Sequence, residues 1–160
     1  MNTNDVEDFV RVNGLEAEFK ILEPESTRTS ELAARAVGCS IAEIAKSIAF
    51  YYTKKGAKYA TVVVLSGDRR VDEDKLAEFL EADDVKRMSP EEVRKEIGYT
   101  IGGVPPFPHK ENVKILADKS LFRFRRVWSA AGAPNAVMKI SPAMLVSILH
   151  IELCDVSVSL

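Results

Sequence analysis

The chain has 160 residues and a mass of 17.7 kDa, with 46% apolar and 29% charged positions and a formal net charge of −2. That length suits one domain over residues 1–160, large enough to bury about two thirds of its unfolded surface without a metal or disulfide staple. The charge balance excludes a chain-wide preference for nucleic acid, and the longest apolar runs, 48–52 and 60–65, are far below the roughly 18 residues of a membrane span.

The first eight residues are polar and acidic, unlike the basic and apolar regions of a secretory leader. Val6, Phe9, Val10 and Asn13 share one helical face, and Gly14 closes that helix. Residues 16–21 alternate polar and apolar, the pattern of a half-buried strand. A polar loop over 24–29 leads to a helix over Ser30–Val37, stopped by Gly38. Cys39 follows. It lies far from the other cysteine, Cys154, in no metal-ligand spacing, so both read as thiols of a reducing cytosol and the protein as cytoplasmic.

Ser40-Ile-Ala-Glu43 is a capping box, with Lys46 at the end of that turn, where a strand over 47–53 begins. A Lys-Lys-Gly turn joins it to a second strand over 59–65. Gly67-Asp68 closes the hairpin region, and Asp72 caps a helix whose inner face is Leu76, Phe79 and Leu80. Ser89-Pro-Glu-Glu92 is another capping box, which starts a helix over 90–97 that ends at Gly98. Three β-like stretches follow at 113–117, 126–131 and Ala136–Ile140, then a helix over 143–149 and a last strand over 153–158. Strands and helices mix without strict β-α-β alternation, so the expected fold is a mixed α+β sheet with surrounding helices. The chain has no glutamine and only five asparagines, a depletion of thermolabile amides that points to a heat-adapted source.

Charge is unevenly spread. Residues 1–31 hold eight acids against three bases and residues 72–96 ten against five, whereas 110–139 hold seven bases against two acids. A basic face on an acidic body suits local binding of a phosphate-bearing ligand, and a solvated stripe gives the same count. Phe122-Arg-Phe-Arg-Arg126, read as extended, puts both phenylalanines on one face and Arg123 and Arg125 on the other. That suits either single-stranded RNA or a core face with a wet outer face.

The segment Gly98-Tyr-Thr-Ile-Gly-Gly-Val-Pro-Pro-Phe-Pro-His109 is the most unusual. Gly102 and Gly103, expected after a short apolar strand, let backbone N–H groups approach a ligand, while Pro105, Pro106 and Pro108 stiffen the loop. An ordinary tight turn fits these residues as well. Lys46 is the only charge in Ile44-Ala-Lys-Ser-Ile-Ala-Phe50, so its ammonium needs a wet or paired place: a substrate cleft or a snorkelling edge. No Gly-x-Ser-x-Gly, Ser-x-x-Lys, His-Glu-x-x-His or Gly-Lys-Ser/Thr phosphate loop occurs, and neither His109 nor His150 sits in a metal-ligand pattern. No metal or cofactor is expected. Hydrolysis would then rest on positioning, electrostatics and an activated water.

Together these residues resemble the YbaK/ProX aminoacyl-tRNA deacylases, a family that includes the editing domain inserted into bacterial prolyl-tRNA synthetases. The points of contact are Ile44-Ala-Lys46-Ser-Ile-Ala-Phe50, Val62-Val-Val-Leu65 with Gly67-Asp68-Arg-Arg-Val-Asp72, Gly98 to Phe107, Ile115-Leu-Ala-Asp118-Lys-Ser-Leu121 and Ala131-Gly132. Pro105 and Pro108 stand where many members carry serine and glycine. The resemblance implies a partly barrel-like central sheet and cleavage in trans of the ester joining a small mischarged amino acid, such as alanine or cysteine on tRNA-Pro, to the tRNA end. It implies catalytic roles for Lys46, Gly102 and Gly103, with the glycine N–H groups meeting the oxyanion. Pro106, Tyr99, Asp118 and Gly132 would surround the substrate, and Lys110, Arg123, Arg125 and Arg126 would meet tRNA. The implied partners are the aminoacylated acceptor end and a synthetase, with no membrane, for a monomer or homodimer. A non-catalytic module that holds an aminoacyl or nucleotide ligand, or docks on a synthetase, is the competing reading.

Overall fold

In the computed structural model, which describes residues 1–24 and 26–160, the chain opens with helix α1 (Thr3–Val12). Asn2 caps it by accepting the Asn4 N–H at 2.9 Å, and Val6 and Val10 turn inward. Strand β1 (Glu18–Ile21) is two residues shorter than the alternation suggests. The expected loop over 24–29 includes Glu25, outside the described residues. Helix α2 (Ser30–Val37) is capped by Thr29 and ends at Gly38, whose φ of +79° is the left-handed conformation that glycine tolerates. After the capped 3₁₀ turn Ile41–Glu43 comes β2 (Ile44–Lys54), which begins earlier than expected. Lys46 is therefore inside the strand and not ahead of it.

A two-residue turn joins β2 to β3 (Ala57–Ser66). Then come β4 (Arg69–Val71), helix α3 (Glu73–Leu80) capped by Asp72, and β5 (Asp84–Arg87). Sequence periodicity misses β4 and β5, which are short and mostly charged. The helix expected over 90–97 is one α-turn, α4 (Pro90–Glu92), that widens into the π-helical turn Val93–Ile97. The rest is β6 (Val113–Asp118), a 3₁₀ turn (Lys119–Arg123), β7 (Val127–Ala130), β8 (Ala136–Ile140), α5 (Pro142–Ser147), β9 (Glu152–Cys154) and β10 (Ser157–Ser159). Because 119–123 is a 3₁₀ turn, the extended alternation over 122–126 does not form. Phe122 is exposed, while Phe124 packs against the core.

The main sheet runs β1-β8-β7-β2-β3-β6-β9, with β5 also on β2, and a small second sheet pairs β10 with β4. The β2–β7, β3–β6 and β6–β9 pairs are parallel and the others antiparallel, so this is a mixed α/β fold around a mixed central sheet. Both faces are covered. On β3, Val62 and Val64 join one core with Met138, Ile97 and Leu121, while Val63 and Leu65 join another with Phe50, Leu76 and Leu116. A third apolar group, Ala33, Ala34, Ile44, Trp128 and Val137, fastens α2 to the β2–β7–β8 side.

The single strand expected over 153–158 is two strands in two sheets. Asp118, completely buried, accepts the Ser120 N–H (3.1 Å), the Val156 N–H (2.9 Å) and the Ser157 hydroxyl (2.7 Å). At the end of β6 this carboxylate replaces a backbone partner for residues 156 and 157, so the ladder with β6 stops at Cys154 and residues 157–159 pair with β4.

Candidate active site

β2 is long enough for one of its edges to serve two neighbours. β7 pairs with it at Ile44 and Ala45, and β5 pairs at residues 50–53. The Met88 N–H donates to Ala49 O at 3.0 Å, the last bond from the β5 side. The β2–β5 register continued would set Pro90 opposite Ser47, and proline has no N–H to give. Ser89 instead caps α4, accepting the Glu92 N–H at 3.2 Å. On the other side β7 leaves after Ala130: the Ala131 N–H continues the β8 ladder to Ala136 O (2.9 Å), while the Gly132 N–H, next in line for Ser47 O, goes to Gly103 O (2.9 Å). The sheet thus has a gap at residues 46–48.

A cavity of about 270 Å³ opens at this gap. Ala33, Val37, Trp128 and Val137 form one apolar wall, and Met88, Val93 and Val104 another. Lys46, Arg87 and Ser47 supply polar lining, and no Asp or Glu lines it among the described residues. Lys46 is half-buried, with its Nζ 3.4 Å from Gly67 O. Burial lowers the pKa of its ammonium, the Arg87 cation lowers it further, and Asp68 partly offsets both. Asp68 itself is occupied by Arg123, whose Nη1 and Nη2 donate to its two oxygens at 3.0 and 2.7 Å.

The glycine-proline loop forms the far rim. The Gly103 N–H donates to Thr100 O at 2.9 Å, closing a turn with Gly102 at φ +85° and an exposed Ile101 at its tip. The Gly103 N–H expected to meet an oxyanion is therefore committed inside the loop. No acceptor meets the Gly102 N–H among the described residues, and Gly102 lines the cavity. Gly103 has another constraint: a Cβ there would stand 2.9 Å from the N, Cα and C of Ala133.

The other sequence candidates scatter. Pro106 is buried in the loop behind the rim, and Tyr99 lies in the core, donating its hydroxyl to Pro108 O at 2.7 Å. Gly132 packs on the start of α1, where a Cβ would come within 2.7–2.8 Å of Asn2 and Thr3 backbone. Asp118 is the tie already described. None of these four lines the cavity. Lys110 points its Nζ at the Glu96 and Lys95 carbonyls (3.3 and 3.5 Å), Arg123 is held by Asp68, and Arg125 and Arg126 are exposed. Of the expected site, only Lys46 and Gly102 meet. Arg87, Ser47, Met88 and Trp128 line the cavity and are not among the candidates from sequence, because no local pattern marks them as cavity residues.

His109 anchors the loop. A carbonyl can only accept, so His109 Nε2 donates to Pro105 O at 2.7 Å, leaving a bare Nδ1 that is buried without a partner. Burial lowers its pKa to about 4, against the opposing effect of the Pro105 bond. Between pH 6.5 and 4 the unfolded chain binds the proton that the folded one refuses, so stability falls as pH falls through that window. Urea unfolding should lose about 3 kcal/mol there, and His109→Phe should remove that part of the slope. An unchanged slope in the variant would show that His109 is not the group responsible.

A family profile described as an aminoacyl-tRNA editing domain matches residues 24–148. The uncharacterized protein YwhH of Bacillus subtilis is 32% identical over 120 residues, covering 75% of this chain and 74% of its own. The multifunctional Ser/Thr-tRNA deacylase ProXp-y of Escherichia coli K12 is 25% identical over 140 residues, 87% and 84% of the two chains. A crystal structure provisionally described as a trans-editing enzyme for prolyl tRNA synthetase superposes with a TM-score of 0.84 at 31% identity, covering 98% and 97%.

Proposed function

The chain belongs to the aminoacyl-tRNA editing domain family, and from that membership we propose that it hydrolyses in trans the ester of a small amino acid mischarged onto tRNA. Alanine and cysteine on tRNA-Pro are the first candidates, with serine and threonine added by the name of the ProXp-y relative. The observation that carries the reading is the gap in the sheet along one edge of β2, where a cavity of about 270 Å³ has Lys46 and Arg87 in its lining and no carboxylate among its described lining residues. Such a cavity accepts a small acyl group and the anionic end of a nucleic acid together.

Lys46 would hold the carbonyl oxygen or the terminal phosphate, and Arg87, exposed at the rim, would meet the phosphate. The Gly102 N–H would face the oxyanion. Water adds to the carbonyl carbon and the ester C–O bond breaks. The ribose oxygen leaves with the proton that water gives up, and the free amino acid departs. Residues 1–160 act as one domain in this reading, in the cytoplasm, where aminoacyl-tRNA and the synthetases are.

The test is single-turnover deacylation of tRNAs charged with alanine, cysteine, serine, threonine and proline. Hydrolysis of a small non-cognate ester supports the reading. Binding of all five without hydrolysis would make the chain an aminoacyl-binding module.

Only part of the basic stripe is available to tRNA. Arg125→Ala with Arg126→Ala should weaken tRNA binding and reduce the slope of log K against log salt by about 1.5. Arg123→Ala should chiefly lower stability, because its guanidinium is spent on Asp68. If the Arg125 and Arg126 changes leave the salt slope intact, tRNA does not pass over this face.

A further inference from the structure

Backbone groups along a strand alternate between its two edges, so the direction of any one can be read from its neighbours. On β2 the odd residues face the gapped edge. Ala49 O takes the Met88 N–H at 3.0 Å and Thr53 O takes the Asp83 N–H at 2.8 Å, both from the β5 side. The even residues face β3: Ile44 O takes the Gly67 N–H at 2.7 Å, and the closing pair of the two-residue hairpin is Lys54 with Ala57. Ser47 is odd, so its N–H and C=O both point into the gap. The β7 register stops at Ala45 with Ser129, one step short of a bond between Ser47 N–H and Ala130 O, and the β5 register would offer it only Pro90. No strand pairs this edge of Ser47 among the described residues. It is the one odd β2 residue between Ala45 and Thr53 that neither β7 nor β5 reaches.

A residue with both backbone groups free on one edge is half of an antiparallel hydrogen-bonded pair, in which two residues exchange both bonds. The smallest group able to supply the other half has an amine and a carbonyl flanking one carbon. We propose that the α-aminoacyl group of the substrate docks in the gap as a one-residue β-bridge on the Ser47 backbone, its carbonyl oxygen accepting the Ser47 N–H and its α-amino group donating to Ser47 C=O. This rests on the deacylase reading for its catalytic half only.

Two further observations agree. In a cavity lined by the Lys46 and Arg87 cations, with no carboxylate among its described lining residues, an α-ammonium group needs a neutral acceptor, and Ser47 C=O provides one. In an antiparallel pair the two side chains share a face, which sends the amino acid's side chain toward Ala45, Ala49 and Met88, on the Ser47 face. The bridge holds the invariant part of every aminoacyl group and leaves identity to that apolar wall. It also gives the oxyanion a rigid mid-sheet donor, better preorganised than a loop donor.

Amide hydrogen exchange on the wild-type protein tests the geometry without any variant. The Ser47 amide should exchange at least ~100 times faster than that of Ile48, which faces β3, though both lie mid-strand. Adding the non-hydrolysable 3′-(L-alanylamino)-3′-deoxyadenosine should slow Ser47 exchange at least ~10-fold. The 3′-propionylamino analogue, identical but for the missing amine, should bind at least ~10 times more weakly. Replacing Ser47 by its α-hydroxy acid, which turns the N–H into an oxygen, should lower kcat about 100-fold.

A Ser47 amide as protected as Ile48 in the free protein, or one indifferent to the alanyl analogue, overturns the proposal. So does equal binding of the two analogues. If no charged tRNA is hydrolysed while the alanyl analogue still protects Ser47, the bridge stands and the deacylase reading fails. If deacylation proceeds and Ser47 does not respond, the bridge fails and the deacylase reading stands.

Discussion

Lys46→Ala lowers kcat/KM for deacylation at least ~100-fold, a loss of about 3 kcal/mol in transition-state binding, while the thermal midpoint stays within ~2 °C of wild type. The asymmetry follows from how the side chain is held. Its ammonium has one long hydrogen bond, 3.4 Å to Gly67 O, and no ion pair among the described residues, so the fold gains little from it. Burial and the Arg87 cation already work against the charged form. Removing the group relieves that cost and opens no core cavity, because the head lies in an existing one. The same depression of the ammonium's pKa has a kinetic consequence: activity should fall on the alkaline side at a pH below that of an ordinary lysine, as the charged form is lost. Single-turnover rates and thermal melts on one preparation check both parts. A variant that retains rates within threefold would remove Lys46 from catalysis.

Gly103→Val destabilises the protein by about 3 kcal/mol or more, and activity falls only as the folded fraction falls. A Cβ at this position would lie 2.9 Å from three backbone atoms of Ala133. Neither segment can yield cheaply, since the Gly132 N–H is bonded to Gly103 O and the Gly103 N–H to Thr100 O. Gly102→Ala is the informative contrast. There the nearest atom is Thr27 O at 3.9 Å, so space is available and the cost is the positive φ of +85°, about 1 kcal/mol. If the Gly102 N–H faces the reacting carbonyl, this milder change should slow the chemical step beyond its effect on stability. Urea unfolding beside single-turnover rates separates the two. A Gly103→Val protein of wild-type stability would show that the approach to Ala133 is not a constraint.

Much of this molecule follows from chemistry between near neighbours. The Ser89-Pro-Glu-Glu92 box, the Thr29 and Asp72 caps and the left-handed stops at Gly38 and Gly98 depend on residues a few positions apart, and the chain spells them out. Lys46 could be singled out for the same reason: one charge in an apolar strand must find water or a partner. Its motif, with the glycine-proline loop, was enough to identify the family. What the chain did not disclose are facts about pairing between distant segments. The tie between Asp118 and residues 156–157 splits a strand that alternation alone makes continuous. The bidentate contact with Asp68 takes Arg123 out of a basic stripe that a charge count leaves intact. The gap at Ser47 exists because β7 stops at Ala130 and β5 is followed by Pro90 on one edge of β2. In sequence Pro90 is a helix start. Only the register of β5 on β2, a pairing between distant segments, makes it the missing donor opposite Ser47 and opens the cavity there.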